Sequence, residues 1–160
     1  MAAAFLRAEL ALRRAPLHVC SAGLVSEGLA PPPAVLDAMK AVGCDLSSHR
    51  SRLATPAMLE AAGLVVAMER RQVAELAVMC PKSWPRTFTA GELLRLAQAG
   101  GGRRGRPLGQ WAEKLGAGRT KQLGSGPDDI PDPMGAGRKA TEKVRDRLAA
   151  WAADVAPLLT

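Results

Sequence analysis

The run Leu64-Val65-Val66-Ala67-Met68 decides the fold class. It is apolar at every position, which is how a parallel strand reads when both of its faces are covered. Working outward, a short helix is expected from Pro56, and helical pattern returns at 70–79 and at 91–98 around Glu92-Leu93-Leu94-Arg95-Leu96. Towards the N-terminus, Leu17-His18-Val19-Cys20 is a second short apolar run, closed by the turn residues Ser21-Ala22-Gly23. Before it lies an Ala/Leu/Arg-rich helix over 2–14, ended by Pro16; after it, Pro31-Pro32-Pro33 opens a helix that Gly43 closes. A final helix is expected from about Arg138 to Val155. Strands alternating with helices predict an α/β domain with a parallel sheet.

The strand count falls short of that architecture. Only 17–20 and 64–68 read clearly as strands, with a weaker one at Thr87-Phe88-Thr89. The chain also opens on a helix, where such domains commonly open on a buried strand that feeds the first helix through a ligand-binding loop.

Composition excludes several classes. The chain has 160 residues, 48% of them apolar, which suits one domain with its own core. No apolar run approaches the ~20 residues of a membrane span. The opening MAAAFLRAELALRRAP has Glu9 and Arg13-Arg14 where a secretory signal would have its apolar core and cleavage site, so an ordinary first helix is expected. Three cysteines, at 20, 44 and 80, have no disulfide or metal spacing, and a reducing cytoplasm fits them best.

The net charge of +7 is unevenly spread. Between Arg103 and Lys121, six basic residues face Glu113 alone, which accounts for five of the seven charges; nine of the sixteen glycines lie between Gly100 and Gly126. The 100–126 stretch is therefore read as a basic, Gly-rich solvated loop rather than a nucleic-acid platform. The chain has no Tyr and two Phe, and only Trp111 interrupts the basic residues.

Six segments follow one another in a recognisable order: MAAAFLRAEL, VCSAG, GCDLSSHRSRLAT, LVVAMERRQV, RTFTAGELLRL and DDIPDPMG before a long helix. In this the chain resembles the low-molecular-weight protein-tyrosine phosphatases over essentially its whole length. The resemblance implies a single domain over 1–160, a flavodoxin-like three-layer α/β sandwich with a parallel sheet in the order 2-1-3-4. It also implies a nucleophilic cysteine in a Cys-x5-Arg-Ser loop between the first strand and first helix. Met1-Ala2-Ala3-Ala4-Phe5-Leu6 resembles the text that follows that loop, so the central first strand, the nucleophile and the phosphate-holding Arg are expected to be missing here. About 15 preceding residues would supply a strand and the loop.

The chemistry needs a thiolate, converging N–H and guanidinium donors for the phosphoryl oxygens, and an acid for the leaving group. Of these the resemblance implies only the acid, Asp132 in Ile130-Pro131-Asp132-Pro133, with Ser21 and His49 as supports of the phosphate loop. No cofactor or metal is implied. The implied partner is a phosphorylated protein or small phosphomonoester, with no membrane and no nucleic acid. Met134 stands where the family usually has an aromatic residue. The extra cysteines of the related arsenate reductases are not evident.

Cys44-Asp-Leu-Ser-Ser-His-Arg50 and Cys80-Pro-Lys-Ser-Trp-Pro-Arg86 each satisfy Cys-x5-Arg. Neither suits a phosphate cradle, which wants inward N–H groups between a strand and a helix. The first has no glycine and sets Asp45 beside the thiol; the second contains two prolines without N–H donors. The expected function is thus a phosphotyrosine-type phosphomonoester hydrolase, inactive as these 160 residues stand. A non-catalytic binder of anionic partners is the alternative.

Overall fold

The computed structural model describes residues 1–117, 119 and 126–160. They form two compact units: Met1–Ala54 with Asp132–Ala156, and Thr55–Pro131 with Pro157–Thr160.

The second unit holds the sheet. The apolar run forms β1 (Val65–Ala67), which pairs in parallel with β2 (Thr87–Thr89) in the register Val65 to Thr87 and Ala67 to Thr89. Among the described residues these are the only named strands. The crossover consists of α4 (Arg70–Met79) and a 3-10 helix (Pro81–Arg86), preceded in the chain by α3 (Pro56–Ala61). Both α-helices have a cap at their start. Thr55 accepts from the Met58 N–H, and Glu69 with Gln72 forms a capping box on α4. Glu69, at the C-terminal end of the strand, is therefore a helix cap.

β2, the weakest strand in the sequence, is completely buried. Phe88 is flanked by two threonines, and both hydroxyls are used. The Thr87 hydroxyl donates to the Ser83 carbonyl at 2.7 Å, and the Thr89 hydroxyl accepts from the Glu92 N–H at 3.2 Å, capping α5 (Ala90–Gly100). Satisfied hydroxyls let a polar pair lie in a core. Arg86 ties in the end of α3, its Nε donating to Ala62 O at 2.7 Å and an Nη to Glu60 O at 2.9 Å. These are orphan carbonyls of a helix C-terminus.

One expectation fails in this unit. The stretch 100–126 is not loop throughout, because Leu108–Gly116 forms α6 with Trp111 and Ala112 buried. Leu108, Trp111, Ala112 and Leu115 recur at helical spacing, and the surrounding Gly/Arg composition hid that stripe. Residues 118 and 120–125 of the stretch lie outside the described residues.

The first unit is helical. It contains α1 (Ala2–Leu12), α2 (Pro33–Lys40) and most of α7 (Arg138–Leu159), whose last residues belong to the second unit. Leu6, Leu10, Met39, Leu148, Trp151 and Val155 are buried. Gly43, at φ +74°, ends the turn after α2. Arg145 ties α7 to α2 through the Ala38 carbonyl at 3.2 Å.

The expected strand at 17–20 is extended but carries no ladder. Its exposure alternates from Leu17 to Ser21, as on a strand with one covered face. Pairing begins only at an isolated parallel bridge, Gly23 to Leu53. Arginine side chains rather than a neighbouring strand take the carbonyls: Arg7 Nε donates to Val19 O at 3.0 Å and Arg52 Nε to Ser21 O at 2.7 Å.

Candidate active site

Ser21, His49 and Asp132 all belong to the first unit. Two of the three are brought to one neighbourhood by backbone. The Gly23 N–H donates to Arg52 O and the Ala54 N–H to Gly23 O, both at 2.8 Å, which joins the turn after Ser21 to the loop that carries His49. Next along, the Gly28 N–H donates to Ser51 O, the Ser51 N–H to Leu29 O, and the Leu29 N–H to the Ser51 hydroxyl at 3.0 Å. Among the described residues, no hydrogen bond joins the side chains of Ser21, His49 and Asp132 to one another.

His49 is exposed and surrounded by positive charge. Its pKa is lowered first by partial desolvation and then by the Met1 amino group, Arg7, Arg50 and Arg52. It is therefore held neutral further into acid than a free histidine. Asp132 is also exposed. Its Oδ1 accepts the Met134 N–H at 2.9 Å, a local turn that Asp favours, and leaves the other oxygen to solvent. Met134 is 73% exposed.

The acidic pair ahead of Asp132 has a different task, within the second unit. The Asp128 carboxylate receives Arg70 at 3.3 Å and Arg95 at 3.0 Å, with its side chain 14% exposed. Asp129 accepts the Arg70 N–H at 3.1 Å and the Gly126 N–H at 3.2 Å. The Ile130 N–H then donates to Met68 O at 2.8 Å. The chain leading to Asp132 is thus fastened to the ends of β1 and α4. Partners 33 and 58 residues away leave no local signal in the sequence.

Neither internal Cys-x5-Arg match forms a cradle. The Cys44 N–H is committed to Met39 O at 3.0 Å, the Asp45 carboxylate is held by Ser47, and Arg50 donates to Ser47 O and His49 O. Cys80 is buried at the end of α4, and its partner Arg86 is spent on carbonyls of the same unit. Cys20 is exposed. Among the described residues no three His, Cys, Asp or Glu side chains gather as metal ligands, and no helix is long and apolar enough to cross a membrane.

The sequence profile of the low molecular weight phosphotyrosine protein phosphatase family matches residues 1–96. No curated protein matches the chain. Solved structures resemble it in fold. The YwlE arginine phosphatase from Geobacillus stearothermophilus is 22% identical, with a TM-score of 0.70 over 98% of this chain and 80% of that one. A low molecular weight protein tyrosine phosphatase from T. tengcongensis is 20% identical, with a TM-score of 0.73 over 99% and 88%. Vibrio vulnificus Wzb, solved with benzylphosphonate, is 19% identical, with a TM-score of 0.70 over 99% and 88%.

Proposed function

We propose that this chain, which belongs to the low molecular weight phosphotyrosine protein phosphatase family, is the body of a phosphomonoester hydrolase whose nucleophile loop comes from residues preceding Met1. The profile match over residues 1–96, which include Ser21 and His49, carries the reading. Cys20, Cys44 and Cys80 form no phosphate cradle among the described residues, which supports a thiolate supplied from elsewhere. The extended segment 17–22 supports a missing neighbour. Alternate residues of a strand turn their backbone groups to one edge. Val19, Ser21 and Gly23 use theirs on Arg7, Arg52 and the Leu53 bridge. On the other edge, His18, Cys20 and Ala22 make no backbone hydrogen bond among the described residues. That edge suits the absent central strand of a sheet in the order 2-1-3-4, within one flavodoxin-like domain.

In this reading the upstream thiolate attacks phosphorus and the bond to the leaving oxygen breaks. Asp132 gives that oxygen its proton, then takes one from the water that hydrolyses the phosphocysteine. The prolines on either side limit where the carboxylate can go. Ser21 and His49 brace the incoming loop, and the substrate is a phosphorylated protein side chain or small phosphomonoester.

The experiment compares turnover of an aryl phosphate by this chain and by a chain extended in frame upstream. The extended chain is expected to contain Cys-x5-Arg and to turn over, with Asp132→Asn lowering kcat about 10²–10⁴-fold. Turnover by the 160 residues alone, lost in Cys44→Ser, would overturn the reading. An extended chain that binds phosphate without turnover would instead mark a pseudophosphatase.

A further inference from the structure

The first unit carries a group of cations that form no ion pair among the described residues. Arg7 projects from α1, and Arg50 and Arg52 flank Ser51 in the loop after α2. Among the described residues each guanidinium donates only to backbone carbonyls: Arg7 to Val19, Arg52 to Ser21, Arg50 to Ser47 and His49. None of the three forms an ion pair among the described residues. The acidic side chains near them in sequence are occupied, Glu9 by Arg13 and Asp45 by the Ser47 N–H and hydroxyl.

Spacing turns this group into more than a charged surface. Val19 and Ser21 are two residues apart on an extended segment, so the carbonyls that tether Arg7 and Arg52 stand about 6.6 Å apart on one edge. A guanidinium donating to a phosphate oxygen at about 2.8 Å holds its carbon roughly 4 Å from phosphorus, so two sharing one phosphate stand about 8 Å apart or less. Both side chains are fixed through Nε, and their Nη atoms make no hydrogen bond among the described residues. Two guanidinium groups close enough to share one phosphate, about 8 Å apart or less, repel each other by roughly 0.5 kcal/mol or more in water and roughly 2 kcal/mol or more at an effective dielectric of 20. A dianion between them converts that repulsion into attraction.

We propose that Arg7 and Arg52, with Arg50 beside them, form a phosphate-binding site on the first unit. The site uses neither a nucleophilic cysteine nor Asp132, so it stands or falls apart from the hydrolase reading. Its ligand is a phosphate group, free or carried on another molecule, held by the forked geometry of guanidinium that an ammonium lacks.

His49 reports on occupancy, since the charges of Arg7, Arg50, Arg52 and the Met1 amino group all bear on it. Imidazole NMR resonances of the 160-residue chain are followed against pH in sodium chloride, in inorganic phosphate at equal ionic strength, and with a pentaglutamate peptide. Phosphate is expected to raise the His49 pKa beyond the chloride value, because a bound dianion stabilises the imidazolium. In Arg7→Gln/Arg52→Gln, with its fold checked by far-UV circular dichroism, the phosphate-specific part is lost. The wild-type comparison decides on its own if that variant unfolds. A His49 shift no larger in phosphate than in chloride overturns the site, as does a pentaglutamate effect equal to that of phosphate.

Discussion

Gly91 and Asp128 meet so closely that a Cβ on Gly91 would lie 2.7 Å from the Asp128 carbonyl oxygen and 2.8 Å from its Cα. Backbone faces backbone there, so no rotamer change relieves the clash. Gly91→Ala is expected to destabilise the second unit by about 1–3 kcal/mol, the range for overpacking. Gly109→Ala is the control: it lies in α6, its Cβ would approach nothing nearer than 3.9 Å, and it should stabilise by about 0.5–1 kcal/mol. Urea midpoints of the two variants, compared with wild type, should move in opposite directions.

Arg119 is enclosed by aromatic rings, its guanidinium carbon 4.2 Å from the centroid of Trp84 and 4.4 Å from that of Phe88. Only 6% exposed, it pairs with Glu92 at 3.2 Å and donates to the Trp84 carbonyl. Desolvation lowers its pKa, opposed by Glu92. Glu92→Gln leaves a buried cation short of its partner and should cost about 3 kcal/mol. Arg119→Met/Glu92→Gln removes both charges and should recover much of that loss. A double-mutant cycle in urea measures the coupling; equal losses in the single and double variants would show that the rings, not the carboxylate, hold the arginine.

What the sequence made legible was whatever short-range pattern encodes. Val65-Val66-Ala67 reads as a buried strand because every position is apolar, and Thr55, Glu69 and Thr89 sit at helix starts as capping chemistry requires. α6 is hidden in the sequence because six basic residues and a cluster of glycines mask its four-residue apolar stripe. The segment at 17–20 has strand composition, yet composition cannot supply a partner, and arginines took the carbonyls. Of the candidate site, Asp132 lies in a proline-flanked turn that sequence displays directly. The Asp128 clasp and the Arg7–Arg52 pairing with one extended segment join residues 12 to 58 positions apart, and no local period encodes them.

His49 makes the first unit acid-sensitive in a defined direction. Its pKa in the folded chain lies below the ordinary value, by desolvation first and then by neighbouring positive charge. As pH falls below about 6.5 the unfolded chain takes the proton first, so unfolding is favoured. The stability is complete above that pH and declines until the folded-state pKa is reached. His49→Asn should flatten the slope, and Arg52→Gln should reduce it. Urea midpoints at pH 7.5 and 5.5 for the three proteins test this; an unchanged slope in His49→Asn would assign the acid sensitivity elsewhere.

Asp128 and Asp132 are four residues apart and should separate stability from chemistry. Asp128 is nearly buried and takes charge-assisted bonds from Arg70 and Arg95, so Asp128→Asn should cost about 2 kcal/mol through weakened pairing. Asp132 is exposed and, among the described residues, accepts only the Met134 N–H, a bond that an Asn Oδ1 also makes, so Asp132→Asn should change stability by about 0.5 kcal/mol or less. In the chain extended upstream the order reverses. Asp132→Asn should lose turnover of substrates with poor leaving groups most severely, because those depend most on a proton donor. Asp128→Asn should keep kcat within about tenfold at temperatures where it remains folded. Equal loss of turnover in both variants, with Asp128→Asn still folded, would make the clasp rather than the Asp132 carboxylate the feature that catalysis requires.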